Sequence, residues 1–301
     1  MARLWLQGHG LMFKQLGVIG CGLMGGSFAL ALRQAGLVRR VVGYSRSPST
    51  TAQAVALGVI DVAADSALKA MMGSDIVLMA VPVAATEATL RSIAQQVAPG
   101  VLIMDVGSTK RDVVDTVRRV LKDRCGSFVP AHPIAGSERA GVEHADAELY
   151  RNRQVILTPL AQTDPDLLQL ATDVWHALGA RVLRMTPEDH DAAFAAVSHL
   201  PHMVAFAYIC GLANQPLGND YLSLAGPGFR DFSRIAASDP AMWRDVLLAN
   251  REEVLNQGKL FRDALNQLMT AMLSGDGPAL EALIRQASER RSAWRIGGSA
   301  G

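Results

Sequence analysis

Three glycines with the spacing G-x-G-x-x-G form a group with recognisable binding chemistry: Gly20, Gly22 and Gly25. They follow a strand-like apolar run and open a helical pattern, the context that a dinucleotide-binding turn requires. The first glycine allows a tight turn, the second lets a pyrophosphate approach the backbone, and the third lets helix and strand pack closely. Together with Leu23 and Met24 they are predicted to bind the phosphates at the helix N-terminus.

The end of the next predicted strand bears on which dinucleotide binds. An NAD site usually has Asp or Glu there to hold the ribose 2′-hydroxyl, but this strand runs into Ser45, Arg46 and Ser47. Hydroxyls and a guanidinium suit a 2′-phosphate instead, and Thr50 and Thr51 offer further donors. A lone arginine is ordinarily a solvated loop residue, but its place at the strand tip favours NADP as cofactor, with NAD as the weaker alternative.

Polar residues also follow two later strands, in "DVGSTK" and "AHPIAGSE". Ligands of parallel sheets bind at the carboxyl ends of the strands. His132 lies at such an end, where an imidazole that titrates near neutrality can act as a general base, although a buried structural histidine is the ordinary alternative. Thr109 and Asp112 are predicted to form a capping box for the next helix, which leaves Ser108 free to face the crevice.

The stretch "SHLPH" contributes Ser198, His199 and His202. The two histidines share a helix face, but no third ligand accompanies them at a recognisable spacing, so no metal site is predicted. Hydrogen bonding to a substrate by one histidine and packing by the other is the favoured interpretation.

A further cluster lies in "FRDFSRIAASDPAMWRD". Arg230 and Arg234 are four residues apart and project together from a helix. Either could form a surface ion pair with Asp231 or Asp245, or anchor a substrate carboxylate among apolar neighbours. Trp243 would add an aromatic wall, contributed in a dimer by either chain.

The elements that position these residues fall into two groups. Up to Thr186, short apolar strands alternate with helices, which predicts a Rossmann-type doubly wound parallel sheet over residues 1–186. The stretches "SFVPAHP", "RQVILTP" and "RVLRMTP" are expected to be strands at its far edge. Thr186 and Asp239 are predicted helix caps. Residues 187–301 are predicted to form an all-α substrate-binding and dimerisation domain.

The composition is that of an ordinary globular protein. The 301 residues are 50% hydrophobic and 19% charged with a formal net charge of +1, so no binding to nucleic acid is expected. Cys21, Cys125 and Cys210 lack metal or disulfide spacing and are expected to be small buried hydrophobes in a cytoplasmic protein. The apolar run "MVAFAYICGLA" is expected to be too short for a membrane span. Translation could start at Met1 or Met12.

Taken together, these motifs resemble the prephenate and arogenate (cyclohexadienyl) dehydrogenases of tyrosine biosynthesis, from Leu16 to about Phe261. "HPIAGSERAGVEHA", "VSHLPHMVAFA" and "FRDFSRIAASDPAMWRD" are the specific part of the resemblance. It implies an NADP-preferring oxidative decarboxylation by a homodimer.

The resemblance also implies roles for individual residues. His132 would take the proton of the ring 4-hydroxyl, oriented by Ser108, and Arg234 would hold the ring carboxylate. His202, Ser198, Trp243, Ser137 and Glu138 would contact the substrate and its side chain. Prephenate and arogenate stay equally open, and any feedback by tyrosine would act at the active site.

Two other functions compete with this interpretation. An NADP-dependent β-hydroxyacid dehydrogenase shares the domain pattern but relies on a lysine in the helical domain, where Lys259 is the sole lysine and lies outside any Gly-rich motif. A non-catalytic NADP-sensing protein would bind the cofactor without turnover, which leaves His132, Ser108 and Arg234 without a joint purpose.

Overall fold

The computed structural model describes residues 13–136 and 139–295. Its strands are β1 (Phe13–Ile19), β2 (Val38–Tyr44), β3 (Val62–Ala63), β4 (Ile76–Met79), β5 (Leu102–Asp105), β6 (Phe128–Val129), β7 (Ala131–Pro133), β8 (Gln154–Leu157) and β9 (Arg181–Arg184). Its first six helices are α1 (Leu23–Gln34), α2 (Pro48–Ala56), α3 (Ala67–Met71), α4 (Thr86–Ile93), α5 (Arg111–Leu121) and α6 (Pro165–Ala177). The later helices are α7 (Pro187–Phe194), α8 (Leu200–Ala213), α9 (Gly218–Ser223), α10 (Pro227–Ser233), α11 (Pro240–Ala249), α12 (Arg251–Leu273) and α13 (Gly277–Ala293).

The first six strands form one parallel sheet in the order β3-β2-β1-β4-β5-β6, which confirms the predicted Rossmann-type fold. β4 and β5 are buried along their whole length because helices cover both faces of the sheet. Ile19 at the end of β1 pairs with Tyr44 of β2 and with Met79 of β4. The turn after β1 therefore lies where the strand order reverses, the usual ligand position in such sheets.

Strands β7, β8 and β9 form a second sheet instead of extending the first, so the expectation of further strands at the far edge is wrong in part. β7 runs antiparallel to β8, and β8 runs parallel to β9. "SFVPAHP" supplies one short strand to each sheet, β6 and β7, with Pro130 between them. Proline has no N–H and a fixed φ, so it interrupts a ladder at that point.

The predicted helix starts are confirmed. Thr186 caps α7, since its Oγ1 accepts a hydrogen bond of 3.0 Å from the Asp189 amide. Asp239 caps α11 by accepting from the Met242 amide at 2.6 Å. Both caps are local, which is why the sequence shows them.

Helices α7 and α8 are joined by a π-helical turn, Ala195–His199, into one helix over residues 187–213. It has 27 residues, and its most apolar 18-residue window has a mean hydropathy of 1.4, which by length and composition alone is enough to cross a bilayer, a test that core helices of globular proteins also pass. The apolar run "MVAFAYICGLA" is therefore only the last part of a longer helix, which continues back through "SHLPH". Only 17% of its most apolar window is buried within the chain, so much of this surface is open to a partner.

The cysteines differ in burial between the Rossmann-type domain and helix α8. Cys21 and Cys125 are buried as expected, but Cys210 on α8 is exposed. Cys210 is exposed because it lies on the surface of α8 that the rest of the chain leaves uncovered.

Candidate active site

The glycine-rich turn connects β1 to α1. Gly20 has a φ of +102°, and a Cβ there would lie 2.1 Å from the Ala80 carbonyl oxygen. A Cβ on Gly25 would lie 2.0 Å from the Gly20 oxygen, so both positions require glycine for the turn itself. A Cβ on Gly22 would meet no atom within 4 Å.

Gly22 is the N-cap of α1 and provides no side-chain cap for the first amides of the helix. The next residues, Leu23 and Met24, begin the helix, which Tyr150 fixes by donating from its hydroxyl to the Met24 carbonyl at 2.7 Å. Open space at Gly22 beside uncapped helix amides fits a dinucleotide pyrophosphate, which needs close backbone approach and N–H donors.

The residues after β2 are placed beside this turn. Ser45 is half-buried, and its Oγ accepts a hydrogen bond of 2.8 Å from the Cys21 amide. Arg46 is exposed, and Ser47 shares a 2.7 Å hydrogen bond with Ser49. Thr51 is buried and donates to the Pro48 carbonyl at 3.0 Å, so the expectation that it offers a donor to the cofactor is wrong.

His132 on β7 belongs to a buried chain of polar side chains. Its Nδ1 lies 2.8 Å from Nε2 of His190, and Nδ1 of His190 lies 2.8 Å from Oδ1 of Asp191. Phe194 packs against both imidazoles, with centroid distances of 4.8 and 4.5 Å. Burial, and then the electrostatic influence of His190 and Lys110, hold the pKa of His132 well below its ordinary value, so this imidazole is neutral at physiological pH.

A buried ion pair holds the start of β7 in place. Lys110 and Asp105 pair with side-chain exposures of 0% and 5%. Lys110 also donates to the Ala131 carbonyl at 2.9 Å, and the Ala131 amide donates to Asp105 at 2.9 Å. The residue next to His132 is therefore fixed from both sides.

Helix α5 is capped differently from the prediction. The carboxylate of Asp191 accepts from the amides of Lys110 at 2.8 Å and Arg111 at 3.0 Å. The predicted capping box of Thr109 with Asp112 is therefore wrong, because a carboxylate from α7 takes the position at the helix N-terminus.

Ser108 lies half-buried just ahead of that helix. Within the described residues no hydrogen bond joins its side chain to His132. Its carbonyl faces His199 and acts to raise the pKa of that imidazole. A contact of the Ser108 hydroxyl with the histidine or a nicotinamide thus stays a prediction.

His199 ends the π-helical turn and is fully buried. Its Nδ1 lies 3.1 Å from Nδ2 of Asn250, which also donates to the Asp191 carbonyl at 2.7 Å. Burial is the largest influence on its pKa, which falls to about 4. Nε2 has no hydrogen-bond partner among the described residues.

His202 and Trp243 form the aromatic part of the site. Their rings stack at 3.6 Å with an interplanar angle of 21°, and both belong to the same chain. Nδ1 of His202 donates to the Ser198 carbonyl at 2.9 Å. Burial, offset in part by Ser198, lowers the pKa of His202, and the positive charge of Arg234 lowers it further. Arg234 is therefore close enough to act on this ring.

The other predicted site residues are placed as follows. Arg230 forms an exposed ion pair with Asp231 at 3.1 Å, the ordinary surface role weighed above. Across residues 13–136 and 139–295 no group of three or more His, Cys, Asp or Glu side chains could hold a metal. Ser137, Glu138 and the question of Met1 or Met12 lie outside the described residues.

Sequence reasoning did not single out four residues that the structure brings to this site: Lys110, His190, Asp191 and Asn250. "STK" and "HD" were visible in the sequence, but their burial depends on contacts between distant segments. The adjacent His-Asp pair at the start of a predicted helix, just after the cap at Thr186, was the available signal.

Comparison with known proteins identifies the family to which this chain belongs. The family model for the prephenate dehydrogenase nucleotide-binding domain matches residues 28–184, and that for the prephenate dehydrogenase dimerization domain matches residues 186–286. The chain belongs to the prephenate dehydrogenase family. It is 36% identical to prephenate dehydrogenase of Bacillus subtilis over 90% of this chain and 74% of that protein. It is 33% identical to cyclohexadienyl dehydrogenase of Zymomonas mobilis over 94% of this chain and 97% of that one.

A solved prephenate dehydrogenase from Aquifex aeolicus, in complex with hydroxyphenyl propionate and NAD⁺, superposes with a TM-score of 0.88. It is 36% identical and covers 94% of this chain and 99% of its own. The protein is accordingly an oxidoreductase of the prephenate dehydrogenase family with a nicotinamide dinucleotide cofactor. The family match decides for this function over the β-hydroxyacid dehydrogenase and sensor alternatives.

Proposed function

We propose that this protein catalyses the NADP-preferring oxidative decarboxylation of prephenate, arogenate or both in tyrosine biosynthesis. The observation that carries the proposal is the burial of His132 at the end of β7, which holds its pKa well below the ordinary value, in a chain that matches the family over nearly its whole length. A neutral imidazole accepts a proton without first losing one, as a general base for a hydroxyl must.

The proposed reaction neither takes up nor releases a proton overall. The bound nicotinamide would supply the hydride acceptor for the hydrogen on the ring carbon that carries the 4-hydroxyl. His132 takes the hydroxyl proton as the carbon–oxygen bond gains double-bond character. The bond to the ring carboxylate breaks, carbon dioxide leaves, and its electron pair completes the aromatic ring. His132 then returns the proton to the ring oxygen, giving a phenol.

Substrate binding is assigned to the aromatic part of the site. Arg234 would bind the ring carboxylate, which a guanidinium does in a bidentate manner. His202 stacked on Trp243 and the nearby Ser198 would contact the ring and side chain. Lowering of the His202 pKa by burial and by Arg234 keeps this imidazole neutral, and because its one hydrogen lies on Nδ1 facing Ser198, Nε2 offers the substrate a hydrogen-bond acceptor rather than a second positive charge.

Ser137 and Glu138 are proposed to face the side-chain end, where Glu138 would favour the ammonium of arogenate. His202 is compatible with the keto acid of prephenate. The two substrates therefore differ chiefly in the charge that meets Glu138.

Ser108 is proposed to position His132 and the nicotinamide. The turn glycines, Leu23 and Met24 would hold the pyrophosphate, and Ser45, Arg46 and Ser47 a 2′-phosphate. In support, Ser45 is anchored at the turn while Arg46 is exposed beside it. The Aquifex aeolicus structure contains NAD⁺, so the preference is a property of this chain that needs its own measurement.

Assembly and location complete the proposal. We infer two domains, a dinucleotide-binding domain of residues 1–186 and a helical domain of residues 187–301 through which the chain forms a homodimer. We also infer that the protein is located in the cytoplasm. The match to a dimerization domain and the open apolar surface of α8 support this arrangement. A partner chain would cover the surface that the single chain exposes.

The test is a matrix of initial rates with NADP or NAD against prephenate, arogenate and a 3-hydroxyacid. We expect turnover with at least one cyclohexadienyl substrate, none with the 3-hydroxyacid, and a larger kcat/KM for NADP. Equal or higher kcat/KM for NAD refutes the cofactor preference alone. Absence of turnover with both cyclohexadienyl substrates refutes the function.

A further inference from the structure

We propose that Asp191 and His190 are positioning residues that fix the tautomer of His132, so that its Nδ1 carries the hydrogen and its Nε2 presents the lone pair. The inference rests on the proposed function, in which His132 is the base. It assigns a role to two residues on α7 that the reaction scheme above does not use.

The argument begins at the carboxylate. Burial alone would raise the pKa of Asp191, but hydrogen bonds from His190 and from the amides of Arg111 and Lys110 lower it below its ordinary value. Asp191 is therefore ionised and can only accept hydrogen bonds. Because two backbone amides at the start of α5 hold it, its position does not depend on a flexible partner.

The carboxylate then determines the state of His190. Its Nδ1 lies 2.8 Å from Oδ1 of Asp191, so Nδ1 must carry the hydrogen. Burial lowers the pKa of His190 despite the carboxylate, so this imidazole is neutral and has one N–H. Its Nε2 is consequently a hydrogen-bond acceptor.

The same reasoning carries to His132. Its Nδ1 lies 2.8 Å from Nε2 of His190, and two lone pairs cannot face each other at that distance. Nδ1 of His132 must donate, and since this imidazole is also neutral, Nε2 is left unprotonated. The chain from Asp191 through His190 thus presents a basic nitrogen on the far side of the ring.

Packing keeps the two rings in this relation. Phe194 stacks on His190 at 4.5 Å and 30°, and contacts His132 at 4.8 Å. The backbone before His132 is held by Lys110 and Asp105. Neither ring can turn over without breaking these contacts, so the tautomer is set before any substrate binds.

The direct test is nitrogen NMR of the full-length enzyme labelled with [¹⁵N]histidine. In wild type we expect the His132 pattern of a protonated Nδ1 and an unprotonated Nε2, assigned by its loss in His132→Asn. His190→Phe keeps an aromatic ring against Phe194 but removes the acceptor, and should shift His132 toward the Nε2–H form. A wild-type His132 with hydrogen on Nε2, or a tautomer unchanged in His190→Phe, overturns the proposal.

Kinetics give an independent readout. His190→Gln can place its side-chain oxygen where Nε2 accepts, so it should retain at least about tenfold more kcat than His190→Phe, which should lose on the order of 10²–10³-fold. KM for the cyclohexadienyl substrate should stay within about threefold in both variants, because His190 is not assigned to substrate binding. His176→Phe, at an exposed position on α6, is the control and should match wild type.

These outcomes separate the inference from the proposed function. Equal losses in His190→Gln and His190→Phe indicate a merely structural role and refute the inference. A wild-type enzyme without turnover refutes the function, while the NMR result on the same sample still decides the tautomer. Should His190→Phe fail to fold, a wild-type His132 with hydrogen on Nε2 still overturns the proposal, and His190→Gln, which keeps an acceptor, should give the wild-type tautomer.

Discussion

Replacing Lys110 by methionine tests whether the buried ion pair beneath β7 holds the candidate base in place. Methionine has a similar length but no charge, so Lys110→Met leaves the Asp105 carboxyl, 5% exposed, without its cation. Removing one partner of a buried pair costs about 3–5 kcal/mol, because an uncompensated charge stays in a low-dielectric interior. For a domain of this size that corresponds to a fall in Tm on the order of 10 °C.

The chain offers a matched control in Lys69, which pairs with Asp65 on the surface with side-chain exposures of 63% and 67%. Lys69→Met removes the same charge by the same substitution and should leave Tm nearly unchanged, because water screens an exposed pair. Thermal unfolding of both variants is compared at one protomer concentration, since Tm of a dimer depends on it.

A double variant separates the charge from the geometry. In Lys110→Met with Asp105→Asn both charges of this pair are removed, and the asparagine oxygen can still accept from the Ala131 amide. We expect it to recover at least half of the lost stability. The reasoning is refuted if Lys110→Met costs no more than Lys69→Met, or if the second substitution adds to the loss.

Three further predictions concern the cofactor turn and pH. Gly22→Ala should keep wild-type Tm but raise the Kd of the dinucleotide, whereas Gly25→Ala should lower Tm, because only the second Cβ meets the backbone; calorimetry and unfolding distinguish them. Ser45→Asp should raise kcat/KM for NAD relative to that for NADP. Arg46→Ala should lower kcat/KM for NADP by about tenfold or more, with little change for NAD. A ratio of the two kcat/KM values equal to that of wild type would contradict either prediction. Burial lowers the pKa of His199 from 6.5 to about 4, so between these pH values the folded state binds fewer protons than the unfolded state. Stability that is present above pH 6.5 is therefore lost as the pH falls toward 4. The fall in Tm over this range should be shallower in His199→Gln, and a Tm-versus-pH curve identical to that of wild type would contradict the prediction.

Local features of the fold were predictable from the sequence. The Gly-rich turn and the caps at Thr186 and Asp239 depend on residues within a few positions of each other, so their spacing carries the structure. Strand–helix alternation predicted the parallel sheet for the same reason. The tip of β2 was also predictable, since it follows the turn at a regular distance.

The long-range parts of the site were not predictable from spacing. Asp191 caps a helix 80 residues away, and that contact displaces the capping box expected from Thr109 and Asp112. The pairing of His132 with His190 joins residues 58 apart, so no local pattern reports it. After Pro130, β7 pairs with β8 in a second sheet, and this pairing depends on the position of a distant segment.

The central claim, that His132 is the base in oxidation of a cyclohexadienyl substrate, is tested most directly by His132→Asn. The measurement is kcat for NADP reduction with prephenate and arogenate, alongside the Kd of the cofactor. We predict a loss on the order of 10²–10⁴-fold in kcat with an unchanged Kd, as expected when a general base is removed. A variant that turns over at nearly the wild-type rate would contradict the account.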